Sequence, residues 1–359
     1  MDLKEVLEFY KNKRVFITGH TGFKGSWFCE ILSLAGAKVL GHSLPAPSDS
    51  LFHILDLGSR IDSIFADIRD LNRLKSSFDD FKPDIVFHLA AQPLVLESYE
   101  NPAYTFDVNV MGTVNMLECI RNYSSKCSFV NVTTDKVYLN REWEWGYREY
   151  ERLDGFDPYS NSKSCSELVT SSYKRSFFGD NPDIAISTAR AGNVIGGGDF
   201  AENRIIPDCV RAAIANKNII VRNPNSTRPY QHVLEPLFAY LIIAKKQYED
   251  GELQGSYNVG PGDEGCYTTR QLVESFIKFW GEGLDWNHPE QVDSCHHEAN
   301  FLKLDNTKIR NMLGWSPVWN LDETMKSIVK WTRAWQSGMN MIEVTDSQIN
   351  QFVLDSYKK

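Results

Sequence analysis

Arg14-Val-Phe-Ile-Thr-Gly-His-Thr-Gly-Phe-Lys-Gly25 is the stretch that decides the fold of this chain. Its first five residues form the apolar run of a buried strand, and Trp27 to Leu34 read as the helix that follows. Glycines between strand and helix allow a tight turn and the close approach of a pyrophosphate to the backbone. The helix N-terminus then offers free N–H groups to the phosphates. The stretch therefore predicts a dinucleotide-binding loop, the alternative being an ordinary glycine-rich turn.

Apolar runs alternate with helical periodicity through the first half of the chain. Continuous apolar strands separated by helices require a parallel sheet that is covered on both faces. We therefore predict an α/β fold with a Rossmann-like, doubly wound parallel sheet. The further predicted strands are Lys38–Gly41, Ile64–Asp67, Asp84–Ala90, Ser128–Thr133 and Ile184–Arg190, and the further helices include Leu71–Phe81, 103–124 and 159–178.

The pattern changes after about residue 195, where glycine- and proline-rich stretches such as Gly196-Gly-Gly198 and Gly260-Pro-Gly262 separate shorter elements. We predict a dinucleotide-binding domain at 1–195, which also carries the catalytic residues. Residues 196–359 are predicted to form a smaller, mixed α/β C-terminal lobe that mainly binds the substrate. The chain is expected to cross back from this lobe to the first domain.

Composition indicates an ordinary globular protein. The chain has 359 residues, of which 42% are hydrophobic and 24% charged, and its net charge is −9. The absence of a basic block argues against a nucleic-acid or anionic-membrane partner, and no stretch has the length and apolarity of a membrane span. Met1 to Lys13 lack the apolar core of a signal peptide. Seven scattered cysteines favour reduced thiols in a cytoplasmic protein, and no metal site is indicated.

Two short segments carry proton-transfer groups: Thr134-Asp135-Lys136, and Tyr159 with Lys163 four residues later. On one helix Tyr159 and Lys163 share a face, so the ammonium of Lys163 could lower the pKa of the Tyr159 phenol. The pair alone would more often be a solvated helix face. Asp135, Lys136, Tyr159 and Lys163 are four groups that can transfer or stabilise protons, and together they indicate a reaction with more than one proton movement.

The Gly-x-x-Gly-x-x-Gly spacing resembles the short-chain dehydrogenase/reductase superfamily in its extended form, which modifies nucleotide sugars. The resemblance implies that Tyr159 and Lys163 form the redox couple with Thr134. It implies an adenine contact at Asp67-Ile68 and a cofactor cleft lined after the fourth strand. The cofactor-binding residues implied in this way are Gly19, Thr21, Gly22, Phe23, Lys24, Gly25, Ser43, Asp67, Ile68, Leu89, Ala90, Ala91, Asn109, Thr133, Tyr159 and Lys163.

The expected cofactor is NAD, although the sequence leaves NADP open. NAD-specific members often carry a carboxylate at the end of the second strand, to bind the ribose 2′-hydroxyl. Here that place reads Gly41-His-Ser-Leu44 and has no acidic residue. Lys24 in the glycine loop could suit a 2′-phosphate, or it could simply face solvent.

Asp135-Lys136 stands where many sugar-nucleotide dehydratases have Asp-Glu, and it resembles one subgroup, the CDP-glucose 4,6-dehydratases. Such enzymes oxidise C4, eliminate water across C5–C6 and return hydride to C6. The resemblance implies that Lys136 removes the C5 proton and Asp135 donates to the leaving 6-hydroxyl, the assignment of acid and base being a hypothesis. The motifs that carry it are Thr18–Gly25, Ala90–Val95, Trp145–Glu149, Asp157–Lys163, Arg190–Asp199, Arg228–Glu235, His297–Ala299 and Leu302–Asp305.

One departure from the subgroup is Leu96-Glu97, where members usually have an arginine, so the sugar or nucleotide preference could differ. For each predicted substrate arginine, a surface salt bridge is the alternative. An epimerase, a dehydratase for another nucleotide hexose and an inactive dinucleotide sensor remain alternative functions. The resemblance also implies a homodimer that pairs through the helices at 103–124 and 159–178. The predicted substrate-binding residues are Gln92, Asn193, Arg204, Arg228, Tyr230 and His297.

Overall fold

The structure is a computed structural model that describes residues 2–179, 181–262, 265–289 and 301–358. The strands are β1 (Arg14–Thr18), β2 (Lys38–Ser43), β3 (Asp62–Phe65), β4 (Ile85–His88), β5 (Cys127–Thr134), β6 (Ile184–Ala191), β7 (Val194–Ile195), β8 (Ile219–Ile220), β9 (Thr227–Arg228), β10 (Gln231–His232), β11 (Ser256–Val259), β12 (Tyr267–Thr268) and β13 (Trp286–Asn287). The helices are α1 (Leu3–Tyr10), α2 (Phe23–Leu34), α3 (Leu51–Ile54), α4 (Leu71–Phe81), α5 (Val95–Glu100), α6 (Pro102–Phe106), α7 (Gly112–Arg121), α8 (Pro158–Tyr173), α9 (Ile205–Ile214), α10 (Leu234–Glu249), α11 (Thr269–Trp280), α12 (Thr307–Leu313), α13 (Leu321–Gln336) and α14 (Met341–Asp355).

Seven parallel strands form the central sheet of the described residues, in the order β11-β6-β5-β4-β1-β2-β3. The prediction of a doubly wound parallel sheet is confirmed. The strand order reverses between β1 and β4, so a crevice opens there at the carboxyl ends of the strands. The third strand begins at Asp62, two residues before its predicted start. The final strand, β11, comes from beyond residue 195 and was missed.

Alternation along β1 explains why both faces of the sheet are covered. Val15 and Ile17 belong to the core on one face, while Phe16 points into the core on the other. Helices α2, α10 and α14 contribute to the first core, and α4, α7 and α8 pack on the second. Helix α10 and strand β11 return the chain to this sheet. The division at residue 195 stays a prediction.

The smaller lobe combines short strand pairs with helices, as predicted. Strands β8 and β13 pair in parallel, β9 and β12 pair antiparallel, and helices α9, α11 and α13 close over a third core. Gly196 to Gly198 lead into this lobe. Trp27 donates its indole N–H to the carbonyl oxygen of Gly197 at 2.9 Å, and a Cβ on Gly197 would overlap the ring of Trp331.

The two long helices of the sequence prediction are present. Residues 102–121 run as α6, a π-helical turn at Asp107–Met111 and α7, and α8 continues into a second π-helical turn at Lys174–Phe178. The two helical segments pack against each other. Within the described part of the chain, we find no helix both long and apolar enough to cross a membrane.

Candidate active site

The glycine loop has the geometry of a phosphate-binding turn. Gly19 adopts φ +75°, and a Cβ there would lie 2.7 Å from the amide nitrogen of Ala90. A Cβ on Gly25 would overlap the carbonyl oxygen of Gly19, so the helix can approach the strand only without side chains. Gly22 is the N-cap of α2 and supplies no side-chain cap. The first amides of α2 therefore remain available to an anion, which fits a dinucleotide pyrophosphate.

The end of β2 offers hydroxyl groups where a ribose would lie. Ser43 and Thr21 join their hydroxyls at 2.8 Å, and Thr21 also donates to the carbonyl oxygen of Leu44 at 3.0 Å. These groups can exchange hydrogen bonds with ribose hydroxyls, and no carboxylate stands at this strand end. The residues present therefore fit a dinucleotide without the acidic contact that many NAD enzymes use.

Lys24 makes its hydrogen bond within the protein. Its Nζ donates to the hydroxyl of Tyr240 on α10 at 3.3 Å, across the crevice from β2. Burial, together with the positive charges of Lys163 and Arg204, lowers the pKa of Lys24 to about 7. Lys24 is thus close enough to Lys163 and Arg204 to feel their charges, and its role toward a cofactor stays a prediction.

At Asp67-Ile68, where an adenine contact is expected, the Asp67 carboxylate is bound by Arg69 and the Ile68 side chain is buried. Arg69 donates to both carboxylate oxygens of Asp67, from Nε at 3.0 Å and from Nη2 at 2.7 Å. Hydrogen bonds from Arg69, working against partial burial, hold the pKa of Asp67 below its usual value. Ile68 is buried, and a Cβ on Gly112 would lie 2.9 Å from its Cγ2.

The side chains of Gln92 and Asn109 form hydrogen bonds with neighbouring residues of the protein. The Asn109 amide accepts from the Gln92 N–H at 2.8 Å and donates to the Gln92 carbonyl and the Ser162 hydroxyl. The Gln92 side chain donates to Leu94 O and Thr105 Oγ1 and accepts from the Leu94 N–H. These contacts use both amide N–H donors of Gln92, and its role near substrate hydroxyls stays a prediction.

Thr134, Tyr159 and Lys163 meet where β5 ends beside α8. A hydrogen bond from Thr134 and the charge of Arg204 favour the ionised phenol, but burial outweighs them and raises the pKa of Tyr159 to about 12. Lys163 donates to the carbonyl oxygen of Val132 at 3.2 Å, and burial lowers its own pKa to about 8. The expected lowering of the Tyr159 pKa is thus reversed in this structure, since desolvation acts on both partners.

Asp135 is the buried acid of the site. Its side chain is 1% exposed; Oδ1 accepts the Thr134 hydroxyl at 3.0 Å, and Oδ2 has no hydrogen-bond partner among the described residues. Burial raises the pKa of this carboxyl against the opposing charges of Lys136 and Arg228. A raised pKa favours the protonated carboxyl, which is the form that can donate a proton. Lys136 follows in a 3-10 turn that the Thr134 hydroxyl caps at 3.4 Å.

Arg204 lies close enough to Tyr159 and Lys24 for its positive charge to lower the pKa of both. It is also ion-paired with Asp199 at 3.3 Å, and the Asp199 side chain is 6% exposed. The alternative of a salt bridge is therefore present, with the Arg204 side chain 37% exposed, and the role of Arg204 toward the substrate stays a prediction. The backbone carbonyl of Asn193 accepts from the N–H of Gln231, which ties β10 to the loop before β7.

The remaining predicted substrate residues are Arg228, Tyr230 and His297, and they lie in different surroundings. Arg228 is 3% exposed, donates to the carbonyl of Thr227 at 3.0 Å and acts electrostatically on Asp135. Tyr230 is largely buried, and its hydroxyl lies 3.3 Å from Oγ1 of Thr269. The structure thus brings Arg228 close to the proposed acid. His297 lies outside the described residues.

Comparisons with known proteins agree with this geometry. Residues 16–328 match the family described as GDP-mannose 4,6 dehydratase. The chain belongs to that family. It is 47% identical to the CDP-glucose 4,6-dehydratase of Salmonella typhimurium, over 96% of this chain and 97% of the relative. It is 25% identical to the CDP-paratose 2-epimerase of Salmonella typhi, over 89% of this chain and 99% of that protein.

Solved structures support the fold. The dTDP-glucose 4,6-dehydratase of Bacillus anthracis in complex with NAD superposes with a TM-score of 0.74 at 19% identity, covering 92% of this chain and 99% of that one. The UDP-glucose 4-epimerase of Thermotoga maritima with UDP-glucose gives 0.77 at 21% identity, covering 90% and 99%. The resemblance to the extended short-chain dehydrogenases is confirmed.

Sequence reasoning missed a buried ion pair beneath the catalytic turn. Glu167, on α8, accepts from Nη2 of Arg190 at 2.8 Å, and both side chains are at most 3% exposed. Arg190 also donates to the hydroxyl of Tyr138 at 2.8 Å. Glu167 stands four residues after Lys163, so the helical spacing was the available signal.

His88 and His232 have hydrogen-bonding roles in the interior. Thr18 Oγ1 accepts from the Leu89 and Ala90 amides, so its proton goes to Nδ1 of His88 at 2.7 Å. Burial lowers the pKa of His88 to about 3. His232 is fully buried beside Gln348. In the described ranges, no group of three or more histidines, cysteines and carboxylates is placed to hold a metal ion.

Proposed function

We propose that this protein is an NAD-dependent 4,6-dehydratase of a nucleotide-activated hexose, converting CDP-D-glucose to CDP-4-keto-6-deoxy-D-glucose. The observation that carries the proposal is the buried carboxyl of Asp135, whose Oδ2 has no hydrogen-bond partner among the described residues, next to Thr134 in the Tyr159 site. An epimerase needs no such acid. The similarity to a CDP-glucose 4,6-dehydratase over nearly the whole chain supports the choice of substrate.

Residues 1–195, completed by β11, would hold NAD, and the lobe at 196–359 would mainly bind the sugar nucleotide. The uncapped start of α2 would bind the pyrophosphate, and the hydroxyls of Thr21 and Ser43 would meet the ribose. When bound, NAD supplies a hydride acceptor that is regenerated within one turnover. The positive charges of Arg204 and Arg228 would attract the substrate diphosphate.

The first proton movement takes place at the 4-hydroxyl of the sugar. Thr134 and Tyr159 would hold this hydroxyl, and Tyr159 would accept its proton as C4 becomes a ketone. A phenol with a pKa of about 12 needs a cation that favours its anion, and Lys163 on the next helical turn is placed to supply the charge. Lys24 brings a second cation to the same end of the crevice.

Elimination needs a second base and an acid. The new 4-keto group acidifies the C5 proton, which Lys136 would remove. Asp135 would give its proton to the 6-hydroxyl as the C6–O bond breaks, so that water leaves. A proton and a hydride then add back at C5 and C6, and the net change is the loss of one water.

A mass spectrum of the product tests the proposal. CDP-glucose incubated with the enzyme should lose 18 mass units, with no net consumption of added NAD, and give the alkaline absorbance of a 4-keto sugar. A product of unchanged mass would establish an epimerase instead. Parallel incubations with dTDP-, UDP- and GDP-hexoses decide the nucleotide. Lys136→Met that still forms product at the normal rate would remove Lys136 as the base.

We also propose a homodimer formed by the helical segments 102–121 and 158–178. Large apolar side chains are exposed on these segments, including Met111 at 46% and Leu168 at 56%. Sedimentation of the enzyme should give a dimer, and Leu168→Glu should yield monomers if this face is the interface. A cytoplasmic location fits the substrate class and the free thiols of Cys29, Cys119, Cys127, Cys165 and Cys209.

A further inference from the structure

Glu167 links α8, which carries Tyr159 and Lys163, to the end of β5, which carries Thr134. It lies one helical turn after Lys163 on α8 and is 2% exposed. Lys163 donates to the Val132 carbonyl, while the next residue of β5, Thr133, donates its hydroxyl to Oε1 of Glu167 at 2.5 Å. Lys163 and Glu167 therefore form hydrogen bonds with two successive residues of β5, the strand that ends in Thr134.

The second carboxylate oxygen of Glu167 holds the neighbouring strand. It accepts from the Thr188 hydroxyl at 2.7 Å and from Arg190 at 2.8 Å. Through Nη1, Arg190 then reaches the Tyr138 hydroxyl and the carbonyl of Glu149, each at 2.8 Å. The turn at 135–137 is thus held on both sides. Thr133, before the turn, bonds Glu167 directly, and Tyr138, after the turn, is joined to Glu167 through Arg190.

We propose, on the basis of the function assigned above, that Glu167 is a positioning residue of the dehydratase reaction. It holds the turn bearing Thr134, Asp135 and Lys136 against α8, and its negative charge stabilises the ammonium of Lys163.

The titratable groups around Lys163 include one other cation, Lys24, and the charge of Glu167 favours the Lys163 ammonium. Lys24 on α2 and His88 at the end of β4 both face Lys163, and Tyr159 precedes it on the same helix. Burial lowers the pKa of Lys163, and the charge of Glu167 opposes that change. Burial disfavours the Glu167 anion too, but Arg190 and the two threonine hydroxyls overcome it and hold the pKa of Glu167 below its usual value.

The test compares Glu167→Gln with wild-type enzyme by two measurements. Lysine labelled with 13C at Cε reports the titration of Lys163 by NMR, with Lys163→Met identifying its resonance. In Glu167→Gln, Lys163 should titrate about half a pH unit lower or more, and the alkaline limb of the kcat profile should move down with it. Thr188→Val is the matched control, since it removes a bond to the carboxylate and keeps the charge, so Lys163 should titrate as in wild type.

A Glu167→Gln protein in which Lys163 titrates at the wild-type pH overturns the electrostatic role. Should that variant fail to fold, Glu167→Asp decides: it keeps the charge but shortens the reach to Thr133, so Lys163 should titrate normally while kcat falls at every pH. Wild-type kcat in Glu167→Asp, or failure of both variants to fold, overturns the proposal. The NMR titration needs no substrate, so absence of turnover with any nucleotide sugar refutes the dehydratase function separately.

Discussion

Gly192 lies directly against the carboxyl group of Asp135: a Cβ on Gly192 would stand 3.2 Å from Oδ2 and 2.7 Å from Cγ of Pro229. Gly192→Ala must therefore shift either the acid or the proline. We expect kcat for CDP-glucose to fall about tenfold or more, because small displacements of a catalytic group are costly. Gly251→Ala, where no atom lies within 4 Å of the added methyl, should keep wild-type kcat. Equal kcat in the two variants would show that Asp135 tolerates the displacement.

The buried acid should reduce stability at neutral and alkaline pH. Burial raises the pKa of Asp135 in the folded protein, so the native state holds a proton that the unfolded chain releases above about pH 4. The free energy of unfolding of wild type therefore decreases as pH rises through this range, whereas Asp135→Asn has no such dependence.

Asp135→Asn should accordingly melt at a higher temperature than wild type at pH 8, with a difference that disappears near pH 4. Its kcat should fall about a hundredfold or more if Asp135 is the proton donor. Thermal melts across this pH range and steady-state rates provide the measurement. A variant that is less stable than wild type at pH 8 would contradict the assignment of a protonated acid.

Gly197→Ala should destabilise the protein without touching the catalytic groups. The added methyl would overlap the ring of Trp331, whose side chain is buried in the core on one face of the central sheet. Overpacking of this kind costs about 1–3 kcal/mol in the free energy of unfolding. Denaturant unfolding should show the loss, and Gly58→Ala, whose methyl meets Phe52 at an ordinary 3.6 Å, is the control. An unchanged midpoint in Gly197→Ala would mean that Trp331 can move aside.

Glu30 predicts a second pH dependence of stability, at a site remote from the proposed chemistry. Its buried carboxylate pairs with Arg60 at 2.6 Å, but burial and the nearby Asp346 of α14 raise its pKa to about 7. A carboxyl with a raised pKa makes the native state bind more protons, so the free energy of unfolding should fall between about pH 4.5 and 7 and level off above.

Glu30→Gln should remove the part of that slope that Glu30 contributes, about 3 kcal/mol at most, and leave the part that Asp135 contributes. Denaturant unfolding at pH 5, 6, 7 and 8 gives the measurement. Glu282→Gln, which changes an exposed carboxylate, should leave the slope as in wild type. Equal slopes in wild type and Glu30→Gln would assign the dependence to other groups.

Local patterns predicted the first half of the fold well. The strand at Arg14–Thr18 and the helix at Leu71–Phe81 have the predicted bounds, because their apolar periodicity and the turns beside them lie within a few residues. Strand β11 has only four residues, and its place in the sheet depends on pairing with Thr188 to Ala191, about seventy residues earlier. No local pattern contains that pairing.

The sequence could predict which residues form the site, but not their hydrogen bonds or pKa shifts. Motif spacing pointed to Asp135 and Tyr159, and the structure places both in one site. It could not show that the Gln92 amide is used by Leu94 and Thr105, because hydrogen bonding depends on packing. Nor could it give the raised pKa of Tyr159, since desolvation is set by residues such as Tyr240 that are distant in sequence.

The return of the chain through α10 and β11 has a consequence for folding. A fragment ending at residue 195 would leave β6 as an unprotected edge and expose the surface that α10 covers. Such a fragment should aggregate rather than fold. During synthesis the dinucleotide-binding sheet cannot close until Val259 has left the ribosome, so its folding must wait for most of the second lobe.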